Sequence, residues 1–219
     1  MNPLFYAQQI AYSSKETLRF TYEMAKRFKD TPGVYVECGV AAGAQIIAMA
    51  HGAPNKTIYA FDSFEGIPLP SNRDDQMPGI KMLTKEEQME LPDPGKQVLQ
   101  SSGATVVSYD DFLNHLSKSG INTNNIISVQ GWFEELFPKW APDGISILRL
   151  DGDLYNSTYV CLKHLYPRCI NGACIIIDDW ALEGARAAFS DYFGVEYYEM
   201  YSKMNFIISK YSKVAWWIK

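Results

Sequence analysis

Residues 145–153 read Ile-Ser-Ile-Leu-Arg-Leu-Asp-Gly-Asp, and residues 173–179 read Ala-Cys-Ile-Ile-Ile-Asp-Asp. Each run is apolar at nearly every position and then ends in acids, which is typical of a central parallel strand buried on both faces. Residues 156–165 have the length of a crossover helix, so we expect the two strands to be parallel neighbours. Their carboxyl ends would then bring Asp151, Asp153, Asp178 and Asp179 to one edge of a sheet.

These four carboxylates predict a site for a divalent metal ion. Acids held this close repel one another, and hard cations that prefer oxygen ligands relieve the repulsion. No cluster of histidine and cysteine lies nearby in the sequence, which disfavours zinc. We therefore expect an oxygen-ligated cation of the magnesium type.

The rest of the chain alternates strands with helices, as in a doubly wound α/β domain. We expect strands at 34–38, 57–61 and 126–130, and helices at 15–29, 44–51, 109–118 and 182–193. A capping box at Ser13-Ser14-Lys15-Glu16 should open the first of these helices. Two runs at 197–201 and 214–218 should close the sheet as an antiparallel pair. Residues 1–219 would form a single domain that starts with a helical segment at 1–32.

Residues 66–103 interrupt this alternation. They contain five prolines among charged residues, and we expect at most one short helix, at 85–90. Long irregular insertions beside a site often act as lids. A lid and a passive surface loop are equally consistent with this composition.

The composition excludes several classes of partner. The formal net charge of -5 and the absence of a basic stripe argue against nucleic acid. The apolar stretches are of strand length, and residues 1–4 lack the features of a signal peptide, so we expect no membrane span. The four cysteines have no Cys-x-x-Cys spacing, and we interpret them as reduced structural thiols of a cytoplasmic protein.

The turn after the first strand carries an acid and glycines. Residues 37–43 read Glu-Cys-Gly-Val-Ala-Ala-Gly, which is not the dinucleotide fingerprint Gly-x-Gly-x-x-Gly. Glycine lets the backbone approach a ligand closely, and Glu37 suits a ligand with an ammonium group. Asp62 follows the next strand, where an acid can bind a ribose diol. An acid, a glycine turn and a ribose acid together suit S-adenosylmethionine and resemble the first motifs of class I methyltransferases.

Three further segments, in order, make the chain resemble the macrocin O-methyltransferase family from about residue 35 to residue 193. They are Phe61-Asp62-Ser63-Phe64-Glu65-Gly66-Ile67-Pro68, Leu148-Arg149-Leu150-Asp151-Gly152-Asp153-Leu154-Tyr155 and Ile177-Asp178-Asp179-Trp180. The family contains sugar O-methyltransferases of macrolide and aminocoumarin antibiotic pathways. The resemblance implies the Rossmann-like class I methyltransferase fold, with a mostly parallel seven-stranded sheet. It also implies Mg²⁺-dependent methyl transfer from S-adenosylmethionine to one hydroxyl of a vicinal diol.

The resemblance also assigns roles to individual residues. Asp151, Asp178 and Asp179 match the metal ligands, and Asp153 matches the general base. The positions that match cofactor-binding residues are Glu37, Gly39, Val40, Gly43, Asp62 and Ser63, together with Gly131 and Trp132 near the adenine.

The sequence is also consistent with two other functions. A catechol-like aromatic could replace the sugar, since its vicinal hydroxyls also chelate Mg²⁺. A metal-dependent nucleotide-sugar glycosyltransferase also places Asp-x-Asp after a strand. Such an enzyme does not require an acid and a glycine, like Glu37 and Gly39, at the end of the first strand. The sequence does not identify the acceptor. Trp216 and Trp217 fit either the core or a homodimer contact.

Overall fold

The computed structural model of the chain describes residues 2–74, 98–210 and 214–219. Within these residues seven strands form one sheet in the order β3-β2-β1-β4-β5-β7-β6. The strands are β1 (Val34–Cys38), β2 (Ile58–Asp62), β3 (Ile126–Gln130), β4 (Ile145–Leu150), β5 (Cys169–Ile177), β6 (Ile207–Ile208) and β7 (Ala215–Ile218). β1 to β5 are parallel, whereas β7 is antiparallel to both β5 and β6. The expected mostly parallel sheet with an antiparallel C-terminal pair is confirmed.

Helices cover both faces of this sheet. They are α1 (Pro3–Ile10), α2 (Lys15–Phe28), α3 (Ala44–Gly52), α4 (Tyr109–Lys118), α5 (Phe133–Leu136), α6 (Tyr155–Leu165), α7 (Glu183–Phe193) and α8 (Met200–Lys203). One apolar core packs α1 to α4 against sheet residues that include Tyr35 and Ile147. A second core packs α5 to α7 against the other face, where Phe61 and Leu148 lie. None of the helices in the described ranges is long and apolar enough to cross a membrane.

The ends of β4 and β5 are level with each other, as their sequences predict. Leu150 is in register with Ile177, and the N–H of Asp178 donates to the carbonyl of Leu150 at 2.9 Å. On the other side of β4, the N–H of Asp151 donates to the carbonyl of Cys38 at 2.9 Å. The backbone ladder therefore extends into both acidic clusters and fixes where they start.

The expected strand at 197–201 is wrong. Tyr197–Glu199 form a 3-10 helix that continues into α8, and the outer strand is β6 instead. Met200 is fully buried in this stretch, whereas its three tyrosines are exposed. One inward side chain suits a single helical turn, because a strand at this edge would need alternating buried positions.

The N-terminal segment is helical as expected, but it is divided into two helices. The side chain of Asn2 accepts hydrogen bonds from the N–H groups of Leu4 and Phe5, and Pro3 occupies the first turn of α1. The cap of α2 is Ser14, whose Oγ accepts from the N–H of Thr17 at 3.1 Å. The expected capping box is therefore replaced by a single serine cap.

Only the two ends of the expected insertion at 66–103 lie in the described residues. Residues 67–69 pair with residues 100–104 through backbone hydrogen bonds, such as the one from Ile67 N–H to the carbonyl of Ala104 at 3.0 Å. The expected helix at 85–90 lies outside the described residues, and so does most of the segment that could be either a lid or a passive surface loop.

Residues 71–74 cap α6 from outside that helix. No side chain caps α6 from its own N-cap position, which is Leu154. Instead Asp74 Oδ1 accepts from the N–H of Tyr155 at 2.6 Å, and Asp74 Oδ2 accepts from Ser71. Arg73 lies over the ring of Tyr155 at 4.2 Å and pairs with Asp191 of α7 at 2.7 Å. This segment therefore joins the insertion to α6 and α7.

We predict that Asp74→Ala destabilises the chain by about 0.5–2 kcal/mol, the usual cost of losing a helix cap. Asp74→Asn keeps a carbonyl acceptor for the Tyr155 N–H and should cost less. Urea denaturation of both variants and the wild-type chain measures the free energies of unfolding. Equal stability of all three proteins would show that Asp74 does not cap α6.

Candidate active site

A cavity of about 250 Å³ lies at the carboxyl ends of the central strands. Its wall includes the residues that follow β1, β2, β3, β4 and β5, so five loops contribute to one site. Every residue expected in the site lines this cavity except Gly43. The geometry therefore brings together side chains separated by more than a hundred residues in sequence.

The turn after β1 is held by Asp62 from the end of β2. Asp62 Oδ2 accepts from the N–H groups of Val40 and Ala41 at 2.8 and 2.9 Å. Asp62 Oδ1 accepts from the N–H of Phe64 at 2.7 Å. The expected ribose acid thus also organises the turn beside it, a role that the sequence analysis did not foresee.

Packing and backbone conformation require glycine at two positions of this turn. Gly39 has φ +87°, and a Cβ atom there would lie 1.8 Å from the carbonyl oxygen of Asp151. Gly43 has φ +86° and caps α3 outside the cavity wall, where a Cβ would meet the ring of Phe112. Close packing of the β1 and β4 loops therefore demands glycine at position 39 even without a ligand.

The remaining expected cofactor positions come from the loops after β2 and β3. The N–H of Gly131 donates to the carbonyl of Asp62 at 2.8 Å, which holds the loop after β3 against the loop after β2. Ser63 Oγ accepts from the N–H of Glu65 at 3.1 Å, and Trp132 precedes the first turn of α5. These residues line the same cavity as the acids that follow β4 and β5.

Three of the four expected acids form a group suited to a cation. One ligand oxygen from each of Asp151, Asp178 and Asp179 lies within 4.8 Å of the others. Asp153 adopts φ 57°, in the left-handed region, and its N–H donates to Asp179 Oδ2 at 2.8 Å. This turn brings the Asp153 carboxyl back to the cavity wall beside the other three.

Arg149 is the residue that sequence reasoning missed. It lies in β4 directly opposite Glu37 of β1, and its side chain is 0% exposed. Nη1 contacts Glu37 Oε1 at 2.7 Å and Asp151 Oδ2 at 2.6 Å, and Nη2 contacts Asp178 Oδ1 at 2.6 Å. An arginine within an otherwise apolar central strand is the signal that could have revealed it, because a buried charge requires partners.

Residues before β1 also line the cavity, which the sequence analysis did not anticipate. Part of the wall is formed by Ile10 at the end of α1 and by Tyr12 and Ser13 from the α1–α2 connection. Ser13 Oγ accepts from Gln45 Nε2 of α3 at 2.8 Å, while Gln45 Oε1 is buried without a hydrogen-bond partner in the described residues. The N-terminal segment therefore contributes polar atoms to the site.

The buried acids hold protons more tightly than free carboxyls do. Burial raises the pKa of Glu37 to about 8, although Arg149 opposes this. Burial and repulsion from Asp151 raise the pKa of Asp153 to about 7. The same two causes raise the pKa of Asp178 to about 6. A positive ligand placed among these groups would lower the pKa values again.

Comparison with known proteins identifies relatives of this chain. The family model of macrocin-O-methyltransferase (TylF) matches residues 16–207. The chain is 32% identical over 169 residues to 8-demethyl-8-(2,3-dimethoxy-alpha-L-rhamnosyl)-tetracenomycin-C 4'-O-methyltransferase of Streptomyces olivaceus, a match that covers 74% of the chain and 59% of that protein. It is 30% identical over 167 residues to mycinamicin III 3''-O-methyltransferase of Micromonospora griseorubida, over 74% of the chain and 60% of the relative. The chain thus spans about three fifths of the length of these curated relatives.

The fold is similar to that of a solved methyltransferase. The structure of the O-methyltransferase NovP matches with a TM-score of 0.68 at 22% sequence identity. The match covers 94% of this chain and 80% of that one. At this identity the likeness concerns the fold.

We predict that the free energy of unfolding of the metal-free chain falls as the pH rises from about 5 to about 8. Carboxyls of the unfolded chain titrate near pH 4, about two units or more below the values in the folded cluster. The folded chain therefore binds more protons in this window, and its stability must fall with rising pH. The stabilisation from these protonated carboxyls is fully present below the unfolded pKa of about 4. It is lost as the pH rises through the folded pKa values of about 6, 7 and 8.

Urea denaturation in EDTA across this window tests the prediction. Asp153→Asn is the matched control, because it removes one titrating carboxyl and should make the pH dependence shallower. A free energy that rises over the whole window in the wild-type chain would contradict the raised pKa values.

Proposed function

Because the chain belongs to the macrocin O-methyltransferase family, we propose that it transfers a methyl group from S-adenosylmethionine to one hydroxyl of a vicinal diol in a Mg²⁺-dependent reaction. The observation that carries the proposal is that one cavity combines two features. It holds a buried carboxylate oxygen without a partner in the described chain, Glu37 Oε2, beside a group of three acids suited to a cation. S-adenosylmethionine and Mg²⁺ together would occupy both features.

Glu37 and the turn that follows it are the proposed seat of the methionine part of the cofactor. Arg149 satisfies Glu37 Oε1 and leaves Oε2 buried and free of protein partners in the described residues. An ammonium group would supply the missing donor, whereas a nicotinamide cofactor has no such group. Asp62 Oδ1 keeps one lone pair for a ribose hydroxyl, because a carboxylate oxygen accepts two hydrogen bonds. Gly131 and Trp132 would then contact the adenine side, and Ser63 would contact the cofactor next to Asp62.

The acids at the ends of β4 and β5 fit Mg²⁺. Asp151, Asp178 and Asp179 supply only hard oxygen donors, and no lysine or arginine lines the described part of the cavity wall. Three oxygens leave octahedral positions for two acceptor hydroxyls and a water. When bound, Mg²⁺ would acidify the coordinated hydroxyl of the acceptor.

Asp153 is proposed as the general base. Its carboxyl lies at the cavity wall, in the turn between the ligand Asp151 and α6. Burial and repulsion from Asp151 raise the pKa of Asp153, and bound Mg²⁺ would lower it again, so the carboxyl would be ionised and able to take a proton near neutral pH. The in-line transfer otherwise needs only alignment, which the strand-end loops provide.

We propose a sugar diol as the acceptor, on a glycoside, another natural product or a polysaccharide. The support is the family and the names of the two relatives, which are O-methyltransferases of a rhamnosylated tetracenomycin and of a mycinamicin. We further propose that residues 1–219 form one methyltransferase domain of a cytoplasmic enzyme. The four cysteines are buried free thiols, as in proteins of reducing compartments.

Mass spectrometry with methyl-labelled S-adenosylmethionine tests the proposed function. The chain is offered Mg²⁺ and a panel of glycosides, free sugars and catechols. We expect one labelled methyl group on a glycoside that carries a vicinal diol. Methylation of catechols alone would identify the aromatic alternative. Consumption of nucleotide sugars without methyl transfer would contradict a methyltransferase.

We predict that Asp178→Asn abolishes turnover and weakens Mg²⁺ binding while S-adenosylhomocysteine still binds. The variant keeps the size of the side chain but removes one of three ligand charges. The site therefore competes poorly with the hydration water of Mg²⁺. Calorimetric titration of each ligand, together with the turnover rate, measures these effects. Asp143→Asn is the control, since Asp143 is 81% exposed and precedes the amino end of β4, whereas the cavity lies at the carboxyl ends of the strands. Full turnover of the wild-type chain in EDTA would refute the metal requirement.

We predict that Asp153→Asn lowers kcat by about 10²- to 10⁴-fold, the range for losing a positioned base. Asparagine tolerates the left-handed backbone of this position and keeps the N–H that donates to Asp179. Affinities for S-adenosylhomocysteine and Mg²⁺ should change little. A rate restored by excess Mg²⁺ would make Asp153 a ligand, and an unchanged kcat would remove it from the chemistry.

A further inference from the structure

Arg149 holds one oxygen of each of two proposed metal ligands. Its Nη1 contacts Asp151 Oδ2 and its Nη2 contacts Asp178 Oδ1, both at 2.6 Å. Among the described residues, no side chain donor contacts Asp151 Oδ1 or Asp178 Oδ2. The guanidinium therefore divides each carboxylate into an oxygen that it binds and an oxygen that remains for a cation.

This division disfavours bidentate coordination by Asp151 and Asp178. A cation bound to both oxygens of either carboxylate would share an atom with the guanidinium and meet its positive charge across that atom. Arg149 has nowhere to withdraw, because it is 0% exposed and its Nη1 is also bound to Glu37 Oε1 at 2.7 Å. The guanidinium keeps its proton under all ordinary conditions, so the repulsion is permanent.

The number of available oxygens distinguishes the common hard cations. Mg²⁺ takes six ligands in an octahedron and accepts single carboxylate oxygens plus water. Ca²⁺ takes six to eight oxygens and gains from bidentate carboxylates. A site limited to single oxygens from Asp151 and Asp178 therefore favours Mg²⁺ relative to Ca²⁺.

We propose that Arg149 is a positioning residue that sets the cation selectivity of the site by restricting Asp151 and Asp178 to one coordinating oxygen each. The inference rests on the proposed metal site at Asp151, Asp178 and Asp179. It adds the reason why the site prefers Mg²⁺, and it assigns that preference to a residue that does not contact the metal.

Arg149→Lys is the first test variant. It keeps the positive charge, but an ammonium group is a compact point charge that lacks the guanidinium fork, so it frees at least one of the two aspartate oxygens. The second variant combines Glu37→Gln with Arg149→Met. This double variant removes both charges of the buried Glu37–Arg149 pair, so neither is left buried without its partner. It also frees Asp151 Oδ2 and Asp178 Oδ1 from the guanidinium. Arg168→Lys is the matched control, because Arg168 pairs with Asp143 at the surface.

Calorimetric titration of MgCl₂ and of CaCl₂ into each metal-free protein gives two Kd values per variant. A change in net charge alters the Kd values of both divalent cations alike, so its effect cancels in their ratio. We expect the ratio to shift toward Ca²⁺ by about 10-fold in the two test variants, the lower end of the change in metal affinity caused by losing a residue that orients metal ligands. The ratio of Arg168→Lys should equal that of the wild-type chain.

Terbium luminescence of the wild-type chain provides a second measurement that does not depend on how the variants fold. Its lifetime counts the waters left on the bound ion, and single-oxygen ligation predicts a high water count. A low count, or an unchanged Kd ratio in a folded test variant, would overturn the role of Arg149 while leaving the metal site intact. Absence of any Mg²⁺ binding to the wild-type chain would overturn the metal site and this inference together.

Discussion

The structure depends on one buried positive charge. Arg149 lies in the middle of the sheet with ion pairs to Glu37, Asp151 and Asp178. A lone charge at such depth would cost several kcal/mol, so β1, β4 and β5 must hold a register in which all four groups meet. The same register places the proposed cofactor seat and the proposed metal site on either side of one guanidinium.

Much of this could be predicted from the sequence because it follows from burial. The nearly continuous apolar runs before Asp151 and Asp178 indicate central parallel strands, and parallel strands end at one sheet edge. The partners of Arg149 could not be predicted, because they depend on the register between strands far apart in sequence. The helical turn at 197–201 does not follow from the sequence, because the aromatic residues there suit a strand as well, and the single buried side chain of Met200 becomes visible only in the structure.

The site also shows how structural and functional needs coincide at single residues. Gly39 is required by the carbonyl of Asp151, so its presence alone does not demonstrate a ligand. Asp62 holds the turn after β1 and is proposed to bind the ribose as well. Glu37 differs from both, because its second oxygen is buried with no partner in the described part of the chain. That unsatisfied atom is therefore the strongest structural support for a cationic ligand.

A crystal structure of the chain with S-adenosylhomocysteine and Mg²⁺ tests the central claim most directly. We expect the cofactor amino group within hydrogen-bond distance of Glu37 Oε2. We also expect Mg²⁺ on one oxygen from each of Asp151, Asp178 and Asp179, with the ion pairs of Arg149 kept. An amino group bound away from Glu37, or an ion that displaces Arg149 from Asp151 and Asp178, would contradict the claim.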